Sequence, residues 1–323
     1  MINAGIAGLG RWGRVLIDSV QGKSDLIRVT AGCTGRRHLA ADYCKDQGID
    51  LRESFEDLLN DASLDAIILA TPHGQHREQV IAAAQAGKQI FIEKPFTLTK
   101  SDAEDALAAC ETAGVICAIG HNRRFLPSMA RLRDMTTSGE LGNILHVEGQ
   151  FHAEGGHNYT DAHWRASDAE SPAGGMTGLG IHSIDALISF MGPIQEVTAV
   201  SEHRVLSVPI DDITFFTMRF ESGVTGYYST CFATPRDWRI QVLGDTGWAE
   251  MRGHEKLTTF MRGGTENETT FETTDIERAE LEAFAKACTG GDAYPISWSD
   301  IIHATAVLEA VVNSAKSGET IKL

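Results

Sequence analysis

The chain has 323 residues, 42% hydrophobic and 22% charged, which is enough apolar material for two packed domains. Its formal net charge of −16 argues against nucleic acid or an anionic membrane as the main partner, since either would be repelled over much of the surface. The six cysteines (Cys33, Cys44, Cys110, Cys117, Cys231 and Cys288) are scattered without a CxxC pair, so they read as free thiols and not as a zinc or redox motif. In chain order, an apolar run over 2–6 leads into Ala7-Gly8-Leu9-Gly10-Arg11-Trp12-Gly13 and then an amphipathic run on Trp12, Val15, Leu16 and Val20. That order reads strand, glycine turn, helix. Strands are predicted at 27–30, 66–70, 89–92 and 115–119, and helices at 37–45, 55–59, 78–86 and 101–113. The 66–70 run, AIILA, is continuously apolar, as in a strand buried on both faces. Alternation of this kind implies a doubly wound parallel sheet.

The pattern changes after residue 123. A helix is predicted over 124–135. A half-exposed strand follows, in which Leu145, Val147 and Phe151 alternate with His146, Glu148, Gln150 and His152. An excursion over 154–175 precedes a helical run over 176–191. Runs over 197–203, 213–220, 224–232, 239–243 and 248–251, with hairpin signals at 221–223 and 244–247, predict a mostly antiparallel sheet. Two helices follow, the last with a stripe on Ile301, Ala304, Leu308, Val311 and Ala315. The domains are therefore expected at 1–123 and 124–323. No apolar run is long enough to span a bilayer and no leader-like stretch precedes the first strand, so the expected location is the cytoplasm.

Three stretches carry chemistry. In the glycine turn, Gly8 permits the sharp bend, Gly10 lets a pyrophosphate approach the backbone, and Gly13 lets helix and strand pack closely. The helix N-terminus then offers N–H groups and a positive dipole end, with Arg11 and Trp12 in its first turn. Glu93-Lys94-Pro95 ends one predicted strand and Thr71-Pro72-His73-Gly74-Gln75-His76 follows another, at the edge where open α/β sheets bind ligands. Gly174-Gly175 opens a helix on which Gly178, His182 and Asp185 are expected to share a face. A metal site on His152, His157 and His163 is not expected, because their spacing matches no closed site.

The glycine fingerprint, Thr71-Pro72 with His76, Glu93-Lys94-Pro95, Trp164-Arg165 and the Gly-Gly…Gly-x-His-x-x-Asp run occur in an order that resembles the Gfo/Idh/MocA family of NAD(P)-dependent oxidoreductases over essentially the whole chain. The resemblance implies a Rossmann domain followed by an α/β domain with an open, mostly antiparallel sheet. It further implies reversible hydride transfer at a hydroxyl carbon of a sugar, polyol or related small molecule. It places Gly8, Gly10 and Gly13 on the pyrophosphate, and Thr71, Pro72, His76 and Glu93 along the cofactor. Trp164 and Arg165 match a cofactor-contacting pair, and Asn122 and Arg123 fall where the domains meet, the first toward cofactor and the second toward substrate. Lys94 is expected at the reacting hydroxyl and at the cofactor, His182 as the proton-transfer residue and Asp185 beside it at the substrate. A homodimer or homotetramer built on the open sheet face is expected, with Phe215, Tyr227, Phe232 and Trp238 on or near its strands.

One position departs from the family pattern: many members have an aspartate one helical turn before the histidine, and here it is Gly178. Cofactor choice carries its own signal. The acidic residue that binds the ribose diol in NAD-using members of the fold is absent from 31–38, where Thr34, Arg36 and Arg37 instead suit a 2′-phosphate, so NADP is expected over NAD. Two other functions fit the same resemblance: redox-neutral glycoside cleavage with a bound nicotinamide, and non-catalytic dinucleotide sensing.

Overall fold

The computed structural model describes residues 1–323, which divide into two compact units. The first comprises 1–97, 101–122 and 275–301. Its elements are β1 (Ile2–Ala7), α1 (Arg11–Val20), β2 (Ile27–Cys33), α2 (Arg37–Gln47), β3 (Asp50–Leu51), α3 (Phe55–Leu59), β4 (Ala66–Leu69), α4 (His76–Gln85), β5 (Gln89–Glu93), α5 (Lys100–Ala113) and β6 (Cys117–Gly120). The six strands run parallel in the order β3-β2-β1-β4-β5-β6. The order reverses between β1 and β4, which puts the glycine turn after β1 at the switch point where this sheet type binds ligands. Strands β4, β5 and β6 are buried on both faces because helices cover them, which accounts for their unbroken apolar runs.

The second unit begins with α6 (Pro127–Thr137) and β7 (Ile144–His152). After an irregular stretch come α7 (Ile181–Met191), β8 (Ile194–Glu202), β9 (Ile213–Phe220), β10 (Thr225–Cys231), β11 (Asp237–Gly244), β12 (Gly247–Arg252), β13 (Lys256–Met261) and β14 (Glu266–Thr270). The chain then forms α8 (Ile276–Cys288) and α9 (Trp298–Ser317) and ends with β15 (Ile321–Lys322). The nine strands follow the order β14-β13-β12-β11-β7-β10-β9-β8-β15 and pair antiparallel except for β7 with β10. Burial alternates strictly along β9, so one face of that strand is covered and the other is open.

The expected division at 123/124 differs from these units at 98–100 and Arg123, which fall in the second, and over a longer segment near the C-terminus. Residues 275–301 return to the first unit, where Leu281, Phe284 and Ala285 of α8 join the core of Ile6, Leu16, Ile17 and Phe91. Phe284 lies 5.7 Å from Phe91 between ring centroids. The reason is burial: α8 has an apolar face that the first sheet covers. No helix is long and apolar enough to cross a membrane.

Candidate cofactor and substrate sites

In the first unit the turn between β1 and α1 is shaped by backbone approach. Gly8 has φ +102°, and a Cβ there would lie 2.3 Å from the Ala70 carbonyl oxygen; a Cβ at Gly13 would lie 1.9 Å from the Gly8 oxygen. A Cβ at Gly10 would meet nothing within 4 Å. No side chain caps α1, and the Trp12 Nε1 is buried without a hydrogen-bond partner. An open approach to the backbone, an uncapped helix N-terminus and an orphaned donor in its first turn fit a dinucleotide pyrophosphate.

Around this turn the expected residues divide. The Arg36 side chain is exposed at the N-cap of α2, where its N–H reaches Thr34 Oγ1 at 3.5 Å. Arg37 points elsewhere: its guanidinium pairs with Glu53 and donates to the Leu51 carbonyl at 3.2 Å. An acid is therefore present near this edge after all, brought from the loop after β3, and it engages one of the two arginines. His76 is fully buried, with Nδ1 2.9 Å from the Pro95 carbonyl oxygen and Nε2 3.1 Å from that of Thr71. Its ring ties the loop after β4 to the loop after β5, a bracing role within this edge. Thr71 Oγ1 donates to Gln79 at 2.5 Å. Glu93 is buried at the end of β5, and Gly120 makes room for it: a Cβ there would stand 2.8 Å from Glu93 Oε1. Lys94 is half-buried and its bond to Pro95 is cis. Asn122 Nδ2 donates to Glu277 of α8 at 2.9 Å.

In the second unit His182, in the first turn of α7, is buried, and Arg123 donates to its Nε2 at 2.7 Å. A guanidinium can only donate, so Nε2 holds a lone pair and accepts. Asp185 takes two hydrogen bonds from Arg124, at 2.6 and 3.0 Å, in a pair whose side chains are 1% and 8% exposed. Both carboxylate oxygens thus serve Arg124. Residues 176–180 form a π turn before α7, so the α-helical spacing expected to align Gly178 with His182 begins only at Ile181. A Cβ at Gly178 would meet nothing within 4 Å, whereas one at Gly174 would lie 1.7 Å from the Asp211 oxygen. In the irregular stretch, the Arg165 guanidinium lies 3.9 Å from the centre of the Trp164 ring. The three histidines near it go separate ways: His152 Nδ1 accepts the Cys231 N–H, His157 faces the Ala233 carbonyl and His163 stacks on Tyr159.

The sequence reading missed the surroundings of His182. Arg123 sits 5.0 Å from the centre of the Phe151 ring and 5.3 Å from that of Trp238, which themselves stack at 5.3 Å. Trp238 Nε1 and Tyr228 Oη both donate to Ser183 Oγ, at 3.2 and 2.7 Å, and burial pushes the Tyr228 hydroxyl well up. His254 stands edge-on to Trp238, and burial with the charges of Arg123 and Arg236, against a smaller pull from Glu255, brings it down to about 4. The one signal available was the strand alternation that places Phe151 and Trp238 inward.

Two family descriptions match the chain: "Oxidoreductase family, NAD-binding Rossmann fold" over residues 2–121 and "GFO/IDH/MocA C-terminal domain" over 129–250. Scyllo-inositol 2-dehydrogenase (NAD(+)) of Bacillus subtilis (strain 168) is 29% identical over 345 residues, covering 100% of this chain and 96% of that protein. D-xylose 1-dehydrogenase (NADP(+)) 2 of Haloferax volcanii is 27% identical over 277 residues, 84% of each. Among solved structures, aldose-aldose oxidoreductase from Caulobacter crescentus superposes with a TM-score of 0.89 at 24% identity, covering 100% of this chain and 99% of that one. The chain belongs to the Gfo/Idh/MocA family of oxidoreductases with an NAD-binding Rossmann fold.

Proposed function

We propose that the protein oxidises or reduces a hydroxyl or carbonyl carbon of a sugar, polyol or related small molecule, with NADP preferred over NAD. The observation that carries the reaction is His182, a buried imidazole whose Nε2 is kept as an acceptor by Arg123. Bound at the glycine turn, the nicotinamide cofactor supplies the hydride acceptor or donor. Arg11, Trp12 and the backbone from Gly8 to Gly13 hold its pyrophosphate. Thr34 and Arg36 meet the 2′-phosphate, while Arg37 braces α2 through Glu53. Thr71, Pro72, Glu93, Asn122, Trp164 and Arg165 complete the cofactor-binding set, with His76 bracing two of its loops. Lys94 stabilises alkoxide character on the substrate oxygen, and His182 takes the hydroxyl proton at Nε2 once Arg123 turns its N–H away. Asp185 serves by fixing Arg124 next to Arg123. Incubation with NADP or NAD and a panel of polyols and aldoses tests this reading. Net formation of reduced cofactor is the expected result, and turnover without it overturns the dehydrogenase assignment.

The same reading includes a homodimer or homotetramer built on the open sheet face. Of the four aromatic residues expected there, Phe232 and Trp238 point inward and are buried, while Phe215 is 40% exposed and packs beside Tyr227 at 6.1 Å. Val200 and Ile213 are exposed on neighbouring strands. An open apolar sheet face of this kind favours self-association. Light scattering at micromolar concentration is expected to show a dimer or tetramer, and a monomer overturns that part.

A further inference from the structure

Arg236 stands out among the arginines near β11. Arg239 pairs with Glu148 and Glu250, and Arg252 with Asp237 and Glu250. Arg236 is in no ion pair; its one hydrogen bond is to His254 Nε2, at 3.0 Å. The neighbouring acid, Asp237, is held by Gln150 at 2.5 Å and by Arg252. Strand alternation explains the division. Trp238 lies opposite Phe151 in the β7–β11 register and faces inward with it, and Arg236, two residues before Trp238, continues that face, whereas Asp237 lies on the other. The Arg236 guanidinium is accordingly 5.6 Å from the centre of the Phe151 ring, the ring that also carries Arg123 at 5.0 Å. Arg123 in turn reaches His182. Two guanidinium groups thus share one aromatic ring beside the proton-transfer histidine. The second is exposed, oriented by a ring nitrogen and answered by no carboxylate.

We propose that Arg236, together with Arg123 on the Phe151 ring, forms a subsite for an anionic substituent of the substrate, a carboxylate or a phosphate. This rests on the reading of the His182 surroundings as the substrate end. Planar guanidinium forks suit both oxyanions through charge-assisted pairs of hydrogen bonds. In a chain of net charge −16, an anion has to be met by a local cation pair of this kind.

The test is calorimetric titration of the NADPH-loaded enzyme with D-glucuronate, D-glucose 6-phosphate and D-glucose, alongside turnover of the same compounds. At least one of the two anions is expected to bind roughly tenfold or more tighter than glucose, and which one does identifies the oxyanion. In Arg236→Gln that preference should fall by about ten- to a hundredfold, with Arg236→Lys between the two. Arg252→Gln, which removes an arginine already paired with acids, should leave it intact. Equal binding of all three compounds, no binding of either anion, or a preference that survives Arg236→Gln overturns the subsite. Anion binding lost in Arg236→Gln, together with turnover that forms no reduced cofactor, upholds the subsite and overturns the dehydrogenase reading instead.

Discussion

The turn at 8–13 and the turn at 174–182 are both glycine-rich entries to a helix, and each sets glycines that the backbone requires beside one that it does not. In the first, backbone oxygens stand 2.3 and 1.9 Å from where the Cβ atoms of Gly8 and Gly13 would be, so any side chain is excluded by the fold itself. In the second, Gly174 is held the same way, 1.7 Å from the Asp211 oxygen, whereas Gly178, like Gly10 in the first, faces open space. Glycine spacing therefore does not distinguish a position the backbone requires, such as Gly13 or Gly174, from an open one, such as Gly178.

The largest expected effects come from the two residues proposed for the chemistry, His182 in the second unit and Lys94 in the first. His182→Ala and Lys94→Ala should each lower kcat by roughly 10²–10⁴ with cofactor affinity nearly unchanged. Steady-state kinetics and fluorescence titration of NADPH check this, and a fully active His182→Ala enzyme would place the proton transfer elsewhere. Next is Arg124→Ala, which removes the two hydrogen bonds that Arg124 gives to the buried Asp185 and should destabilise the protein by about 3–5 kcal/mol in denaturant melts. The two glycines can be set directly against each other. Gly13→Ala forces a backbone shift and should cost about 3 kcal/mol and most of the cofactor affinity. Gly178→Ala should be neutral or stabilising by up to about 1 kcal/mol. Equal losses from the two would erase the distinction between the two kinds of position.

At the 2′-phosphate end, Arg36→Ala should weaken NADP by roughly ten- to a hundredfold while sparing NAD, the size of one charge-assisted contact. Arg37→Ala should affect both nucleotides alike, because that side chain is spent on Glu53 and Leu51. Matching losses of NADP affinity in the two variants would return Arg37 to the phosphate. The smallest effect concerns His254. Its folded pKa lies below its unfolded value of about 6.5, near 4, so the unfolded chain binds the extra proton first. Its contribution to stability is full above pH ~6.5 and is lost as the pH falls toward ~4. Thermal melts of His254→Asn should be flatter over that window than those of the parent chain.

Strands β4, β5 and β6 of the parallel sheet were legible because both of their faces are buried, which leaves unbroken apolar runs in the sequence. Three features were hidden for physical reasons. Glu53 reaches Arg37 from sixteen residues away, across a loop that periodicity does not describe. The partner of Asp185 is 61 residues distant, so the face it was expected to share with His182 is used for Arg124 instead. Strand β14 is exposed at all five positions, which leaves no alternation to read. In the second site, the residue types at 123, 182 and 185 were visible from sequence, but not which of them pair.

The return of 275–301 to the first unit bears on how the protein is made. Phe284 and Leu281 belong to the same core as β1 and α1, yet they emerge from the ribosome more than 250 residues later. Until then the nascent parallel sheet lacks part of its apolar cover, exposing surface on which chaperones can act. A fragment ending near residue 123 would carry the whole glycine fingerprint and still be an unfinished domain.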